Sequence, residues 1–257
     1  MVLYVFRQTL REFLRSRRLL PWIFLSVLTF VLAANWRELS PTSGVLERYT
    51  SVMSVFVYRL LALASAIYTT AIVSQEVEQK TISYLLTRPI ERWRLLLGRY
   101  LASVVVVGGV CMVTAFLVSS AVFAGSQVNH AGLLERDLAA LGVGALAYGA
   151  LFLFVSLLFN RAMLICLLFA FGWETSMPNL PGELYRVTIF SYLQGIASHP
   201  PLQAQDKLLA FVMGAIGPKT VSLAACWITM GILIVSLLAA SCWWFTHFEY
   251  IAREDAE

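Results

Sequence analysis

The chain has 257 residues, of which 59% are hydrophobic and only 13% are charged. Soluble domains are about 45–50% apolar and about 25% charged, and a soluble fold of this length cannot hide so much apolar surface from water. The composition therefore excludes a soluble globular enzyme, a nucleic-acid-binding module and a disordered chain. Membrane topology explains the net charge of +4 better than a nucleic-acid partner does.

The first eighteen residues predict a basic amphipathic helix ahead of the first membrane span. Apolar residues recur at helical spacing from Leu3 to Leu14. The basic stripe consists of Arg7, Arg11, Arg15 and Arg18. Such a helix is expected to lie in the membrane interface, with its arginines among lipid phosphates. The alternative is an ordinary positive flank that only sets topology. A signal peptide is disfavoured because this polar lead is long and patterned.

Six windows with little or no charge are long enough to predict membrane spans, because a helix needs about 20 apolar residues to cross the hydrocarbon core. The predicted spans are 20–34, 52–74, 100–124, 138–159, 162–177 and 220–245. The fifth is short and runs into Glu174 and Pro178. Long continuous runs favour helices over barrel strands. The predicted fold class is an all-α membrane protein with six transmembrane helices and an N-terminal interfacial helix.

The distribution of basic residues predicts that both termini are cytoplasmic. Twelve of the 19 Lys and Arg residues fall on the side that holds the termini and the segment between the second and third spans. Six fall on the other side, and Arg59 lies within the second span. Since cytoplasmic loops carry the excess of Lys and Arg, the richer side is assigned to the cytoplasm.

The segment 74–98 is too polar to span a membrane and too patterned for a linker. Glu76 and Glu78 open it, and Pro89 divides an apolar stripe from a basic run. The stripe is formed by Ile82, Leu85 and Leu86. These features predict a short helix, a kink and a second amphipathic run across the cytoplasmic mouth of the bundle. The segment suits docking by a soluble partner, and a solvated loop with topological arginines is the alternative.

The same segment carries a sequence signature. Its strings are Glu76-x-Glu78-x-x-Thr81-Ile82, Leu85-Leu86-Thr87-Arg88-Pro89-Ile90-x-Arg92 and Leu95-Leu96-Leu97-Gly98-Arg99. This ordered pattern resembles that of ABC-2 type ABC transporter permeases, which reads approximately E-x-E-x-G-T-I/L-x-x-L-L-x-x-P-I/V-x-R and then an L-G-K-like entry into the third span. Lys80 stands where glycine is frequent, and Arg99 where lysine is.

The resemblance implies a permease subunit that pairs with a second copy or a homologue and with two ATP-binding cassette subunits. It places the ATPase-coupling contact in the segment 74–98. The matching residues are Glu76, Glu78, Lys80, Thr81, Ile82, Leu85, Leu86, Arg88, Pro89 and Arg92. It further implies export and a bacterial inner (cytoplasmic) membrane. ATP and Mg²⁺ are expected on the partner, because this chain has no G-x-x-x-x-G-K-[ST] loop.

Two charges fall in predicted spans, Arg59 in the second and Glu174 near the end of the fifth. A membrane-embedded charge costs about 2.5–3.5 kcal/mol or more unless it is paired, hydrated or able to snorkel. One hypothesis pairs them or places them along an export path. The alternative, which we favour, is that each reaches the interface independently. The stretch 178–219 is predicted to be an extracytoplasmic loop with short helices, and the resemblance implies a gate-like role for it.

Catalytic, cofactor and metal sites are not expected in this chain. The cysteines lie in apolar spans without C-x-x-C spacing, and His130, His199 and His247 form no metal-ligand motif. An intramembrane enzyme is therefore disfavoured. An ion-coupled carrier and an assembly scaffold stay open as alternatives. The glycines of the third and fourth spans are interpreted as helix-packing contacts rather than carrier-type breaks. They are Gly108, Gly109, Gly142, Gly144 and Gly149.

Overall fold

The structure, a computed structural model, describes residues 2–15, 17, 19–39, 44–78, 92–124, 131–159, 161–176, 184–199 and 222–247. Every regular element within these ranges is helical. The α-helices are α1 (Val2–Arg15), α2 (Leu19–Leu39), α3 (Val45–Val52), α4 (Tyr58–Glu78), α5 (Arg92–Phe123), α6 (Ala131–Leu158), α7 (Ala162–Leu168), α8 (Glu174–Ser176), α9 (Ile189–Ala197) and α10 (Leu223–His247). Two π turns, Met53–Val57 and Phe169–Trp173, continue α3 into α4 and α7 into α8. A 3-10 turn spans Leu184–Val187.

Five stretches in the described part of the chain are long and apolar enough to cross a membrane. They are Leu19–Trp36, Val45–Ile72, Trp93–Phe123, Ala131–Leu158 and Leu223–His247. Each overlaps one predicted span. The helices extend beyond the charge-free windows because charged residues such as Glu47 and Arg48 are part of the first turn of α3 and do not interrupt the helix. The all-helical membrane fold is therefore confirmed.

The predicted span 162–177 is not confirmed. Residues Ala162–Ser176 form a shorter apolar helix from α7, the second π turn and α8. At 1.5 Å per residue it is about 22 Å long, whereas the hydrocarbon core is about 30 Å thick. The charge-free window stops at Glu174, and the described helix extends to Ser176.

Helix α6 lies at the centre of the bundle and packs against α4, α5, α9 and α10. Two of its glycines allow close approach. A Cβ at Gly144 would lie 2.6 Å from Leu61 Cδ2 and 2.8 Å from Leu193 Cδ1. A Cβ at Gly149 would lie 3.1 Å from Tyr100 Cε2. The packing interpretation is confirmed at these two positions, whereas Gly109 has open space where its Cβ would be.

The bundle has two distinct ends. Helix α1 packs on the beginning of α5, where a Cβ at Gly98 would lie 3.1 Å from the Val2 carbonyl oxygen. Nearby, Arg99 donates a hydrogen bond to the Ile72 carbonyl. We call this the α1 end. At the opposite end, which we call the Asp137 end, the Tyr49 ring of α3 meets the Phe123 ring at the end of α5.

Candidate functional site

The predicted ATPase-coupling residues lie at the α1 end or outside the described residues. Helix α4 ends at Glu78, so Glu76 and Glu78 belong to its last turn. Helix α5 begins at Arg92. The remaining predicted coupling residues lie outside the described residues: Lys80, Thr81, Ile82, Leu85, Leu86, Arg88 and Pro89. The described end of α4 and the described start of α5, which flank the segment, both lie at the α1 end.

The basic stripe of the N-terminus lies on α1. Arg7, Arg11 and Arg15 are exposed, and Arg18 lies outside the described residues. On the other face, the buried Phe13 ring packs edge-on against Tyr68, with 5.3 Å between ring centroids. The helix thus presents its arginines outward while an aromatic contact attaches it to α4.

Glu174 is buried and caps the N-terminus of α9. Only 1% of the residue is exposed. Its Oε1 accepts a hydrogen bond from the Ile189 N–H, and its Oε2 accepts one from the Phe190 N–H, both at 3.0 Å. The first N–H groups of a helix have no partners within the helix and carry its positive dipole end. The carboxylate therefore satisfies two donors and places its negative charge where the dipole favours it.

Arg59 lies in the same cluster as Glu174 without forming a direct ion pair with it. Its Nη1 donates to Thr175 Oγ1 at 2.7 Å, and its guanidinium lies 5.0 Å from the centre of the Phe190 ring. Within the described residues, no Arg59 nitrogen approaches a Glu174 oxygen within 4 Å, although the two charges interact electrostatically. Tyr148 of α6 also interacts with the Glu174 carboxylate. The two intramembrane charges therefore share one buried cluster, and neither stands alone.

A second buried cluster lies at the Asp137 end. Asp137 of α6 is fully buried, yet its two oxygens are occupied. Tyr49 donates its hydroxyl to Oδ2 at 2.7 Å, and Tyr58 donates its hydroxyl to Oδ1 at 2.8 Å. His199 Nε2 lies 2.9 Å from Oδ1, and the His199 side chain is 3% exposed. Hydrogen bonds such as the two from the tyrosine hydroxyls are what allow a carboxyl group to stay buried.

The first π turn brings the two tyrosines toward Asp137. Tyr49 and Tyr58 are nine residues apart, which in a regular α-helix of 3.6 residues per turn puts them about 180° apart. If the π turn at Met53–Val57 is treated as a one-residue insertion, the angle falls to about 80°. Both hydroxyls can then reach one carboxylate on α6. Such π turns occur frequently at functional sites.

Sequence reasoning missed the Asp137 cluster. Asp137 lies at the edge of a charge-free window, His199 in a predicted loop and the tyrosines among apolar residues. Nothing in the spacing connects the four, because they come from three separate segments, one of which holds both tyrosines. One available signal was Asp137 itself, a carboxylate at the edge of a long apolar window, where burial without partners would be costly.

The two clusters are suited to holding helices rather than to chemistry. Asp137 and Glu174 are each 1% exposed or less, so neither reaches a substrate in solution. Among the described residues, no group of three or more His, Cys, Asp or Glu side chains could hold a metal ion. What the two carboxylates share is α9, which Glu174 contacts at its first residues and Asp137 contacts just after its last.

Residues 11–175 match the model of a family described as ABC-2 family transporter protein. The match covers more than half of the chain and includes α2 to α7, the segment 74–98 and both predicted intramembrane charges. Helices α9 and α10 lie beyond it. No curated protein matches the chain.

Proposed function

Because the chain belongs to the ABC-2 family of transporter proteins, we propose that it is the permease subunit of an ATP-driven ABC transporter working as an exporter. The observation that carries the proposal is the family match over 11–175, on a bundle whose described part has five helices long and apolar enough to cross a membrane. In this role the chain has no chemistry of its own. A separate ATP-binding cassette subunit, present in two copies, binds ATP and Mg²⁺ and hydrolyses the nucleotide.

The coupling contact is proposed for the segment that joins α4 to α5. Its predicted residues run from Glu76 to Arg92, and its two flanking helices are deeply packed in the bundle. Both α4 and α5 contact α6. A push on the segment would therefore reach the centre of the bundle through two helices at once, which suits transmission of a movement from a soluble motor.

The α1 end is proposed to face the cytoplasm of a bacterial inner membrane. The basic excess favours this orientation, and the ends of α4 and α5 lie on the same side as α1. Helix α1 then lies in the interface with Arg7, Arg11 and Arg15 toward lipid phosphates. In this orientation the Asp137 end, with α9, faces the extracytoplasmic side and belongs to the outer gate of the transport path.

The permease is proposed to act with a second copy of this chain or a homologue, since cyclic dimers are the commonest closed assemblies. Substrate would pass between the two membrane subunits.

An ion-coupled carrier is the second candidate, because the buried Asp137–His199 contact is of the type that carriers use as proton relays. Its position argues against that use. Carrier sites lie near the midplane at broken helices, whereas Asp137 lies in the second turn of α6 at one end of the bundle.

Affinity purification of the membrane-embedded chain in mild detergent tests the proposal. We expect a P-loop ATPase to co-purify, and Glu78→Lys to reduce its recovery and its ATP hydrolysis by at least about tenfold, as loss of a charged interface contact does. Glu135→Lys is the matched control, since Glu135 is exposed near the Asp137 end and should not change recovery. Recovery of no nucleotide-hydrolysing subunit, with transport driven by an ion gradient, would refute the proposal in favour of the carrier.

A further inference from the structure

The two ends of α9 differ in how well they are hydrogen-bonded to the rest of the bundle. At the first end, the Glu174 carboxylate accepts the Ile189 and Phe190 N–H groups at 3.0 Å each. The Arg59 guanidinium covers the Phe190 ring at 5.0 Å and bonds to Thr175, the residue next to Glu174. All the polar groups of this end named here have partners, so the helix N-terminus is firmly attached to α8 and α4.

The second end is close-packed but poorly bonded. His199 Nε2 lies 2.9 Å from Asp137 Oδ1, but neither ring nitrogen of His199 forms an aligned hydrogen bond with any described residue. Its ring is enclosed edge-on by the rings of Tyr49 and Tyr58, at 6.3 and 6.2 Å. The Asp137 oxygens accept the two tyrosine hydroxyls, whereas the imidazole lies close to Asp137 without the directional bond that would anchor it.

The backbone at the second end is also strained. Ser198, which follows the last residue of α9, has φ 54° and ψ 38°. It is the only non-glycine residue with positive φ in the described ranges. Helices often end in a residue of this conformation, but the residue is usually glycine, because a side chain makes the left-handed region costly. Separation of this end of α9 from the bundle would relieve the strain at Ser198.

From this asymmetry we propose that α9 is hinged at Glu174 and released at His199. The Glu174 end stays attached while the Asp137–His199 contact opens and closes, so that the helix swings about its first turn. That this swing serves transport rests on the proposed function, whereas the swing itself is a property of these contacts alone.

The contacts of α9 with its neighbours indicate which part of the bundle the swing would expose. Leu193 fills the space over Gly144, between α4 and α6, and Gln194 Nε2 lies 3.4 Å from Ser54 Oγ in the first π turn. Leu193 is fully buried. Moving the second end of α9 outward withdraws Leu193 from the space over Gly144 and separates α9 from the π turn. An opening between α4, α6 and α9 results, at the Asp137 end of the bundle.

Hydrogen–deuterium exchange of the full chain in lipid nanodiscs tests the hinge. In the unaltered protein, the amides of residues 194–198 should exchange faster than those of Ile189 and Phe190. Asp137→Asn should accelerate exchange at 194–198 by at least about tenfold and leave Ile189 and Phe190 unchanged. Glu174→Gln should accelerate exchange along the whole of α9, because it loosens the hinge.

Ser198→Gly is expected to change the exchange rate in the opposite direction. Ser198 is exposed, so its substitution does not endanger folding. Relief of the left-handed strain should hold the second end more firmly and slow exchange at 194–198 by about fivefold. Equal acceleration at both ends of α9 in Asp137→Asn would overturn the proposal, since the helix would then leave as one unit. Unchanged or faster exchange in Ser198→Gly would overturn it too. Neither outcome depends on an ATPase, so a failed hinge and a failed permease assignment are distinguishable.

Discussion

In a double-mutant cycle between Tyr58 and the buried Asp137, we expect the effect of Tyr58→Phe on the free energy of unfolding to change sign when the Asp137 carboxylate is removed. Tyr58 is 1% exposed, and its hydroxyl donates to Asp137 Oδ1 at 2.8 Å. Tyr58→Phe removes only that hydroxyl and leaves the ring packed against Phe190. A hydrogen bond to a charged group contributes about 1.5–3 kcal/mol, so we expect the free energy of unfolding to fall by about 2 kcal/mol.

The Asp137→Leu background reverses this expectation. Without the carboxylate, the Tyr58 hydroxyl is a buried group without its acceptor, and such a group costs about 1–3 kcal/mol. Tyr58→Phe should then be neutral or stabilising. The coupling energy between the two substitutions should therefore be at least about 2 kcal/mol.

Equilibrium unfolding in mixed micelles, followed by circular dichroism, measures all four corners of the cycle. Tyr192→Phe is the matched control, because the Tyr192 hydroxyl makes no hydrogen bond to a described residue and its removal should change stability by less than about 0.5 kcal/mol. Additive effects of Tyr58→Phe and Asp137→Leu would refute the reasoning, since they would mean that the hydroxyl does not serve the carboxylate.

Further expectations concern packing and thiol reactivity. Gly144→Ala should destabilise the bundle by about 1–3 kcal/mol in the same unfolding assay, because its Cβ would overlap Leu61 and Leu193, whereas Gly109→Ala, which meets open space, should not destabilise it. A destabilisation of equal size at Gly109 would contradict the packing account. Cys111, fully buried, should resist maleimide until the protein is denatured, as mass spectrometry of the labelled chain would show. Modification of Cys111 in the folded protein at the rate of the partly exposed Cys242 would mean that the bundle is more open than described.

The membrane-crossing helices were predictable because a bilayer selects on composition alone. In the bilayer core, the backbone N–H and C=O groups of a charge-free run such as 138–159 must find their hydrogen-bond partners within the run itself. Its helical state therefore follows from its hydropathy. The window 162–177 misled the same reasoning. Its residues are apolar, but the described helix that they form is shorter than the hydrocarbon core, and its last residues include Glu174, which caps α9.

The buried polar clusters were beyond prediction for a different reason. A lone aspartate, a loop histidine and two tyrosines carry no shared spacing, and the π turn that rotates Tyr49 toward Tyr58 has no sequence signature. The sequence interpretation favoured Arg59 and Glu174 each reaching the interface independently, and the other hypothesis paired them or placed them along an export path. The structure instead shows a shared cluster, in which Thr175 and a helix N-terminus receive the two side chains.

The central claim is that ATP hydrolysis on a separate subunit drives this permease, and native mass spectrometry of the purified complex tests it most directly. The account predicts two 28.7 kDa membrane chains, or one with a homologue, bound to two nucleotide-hydrolysing chains. It also predicts that Glu78→Lys releases the nucleotide-hydrolysing chains while leaving the membrane chains paired. A membrane chain that is found without any ATPase, and whose assembly is unchanged by Glu78→Lys, would contradict the claim.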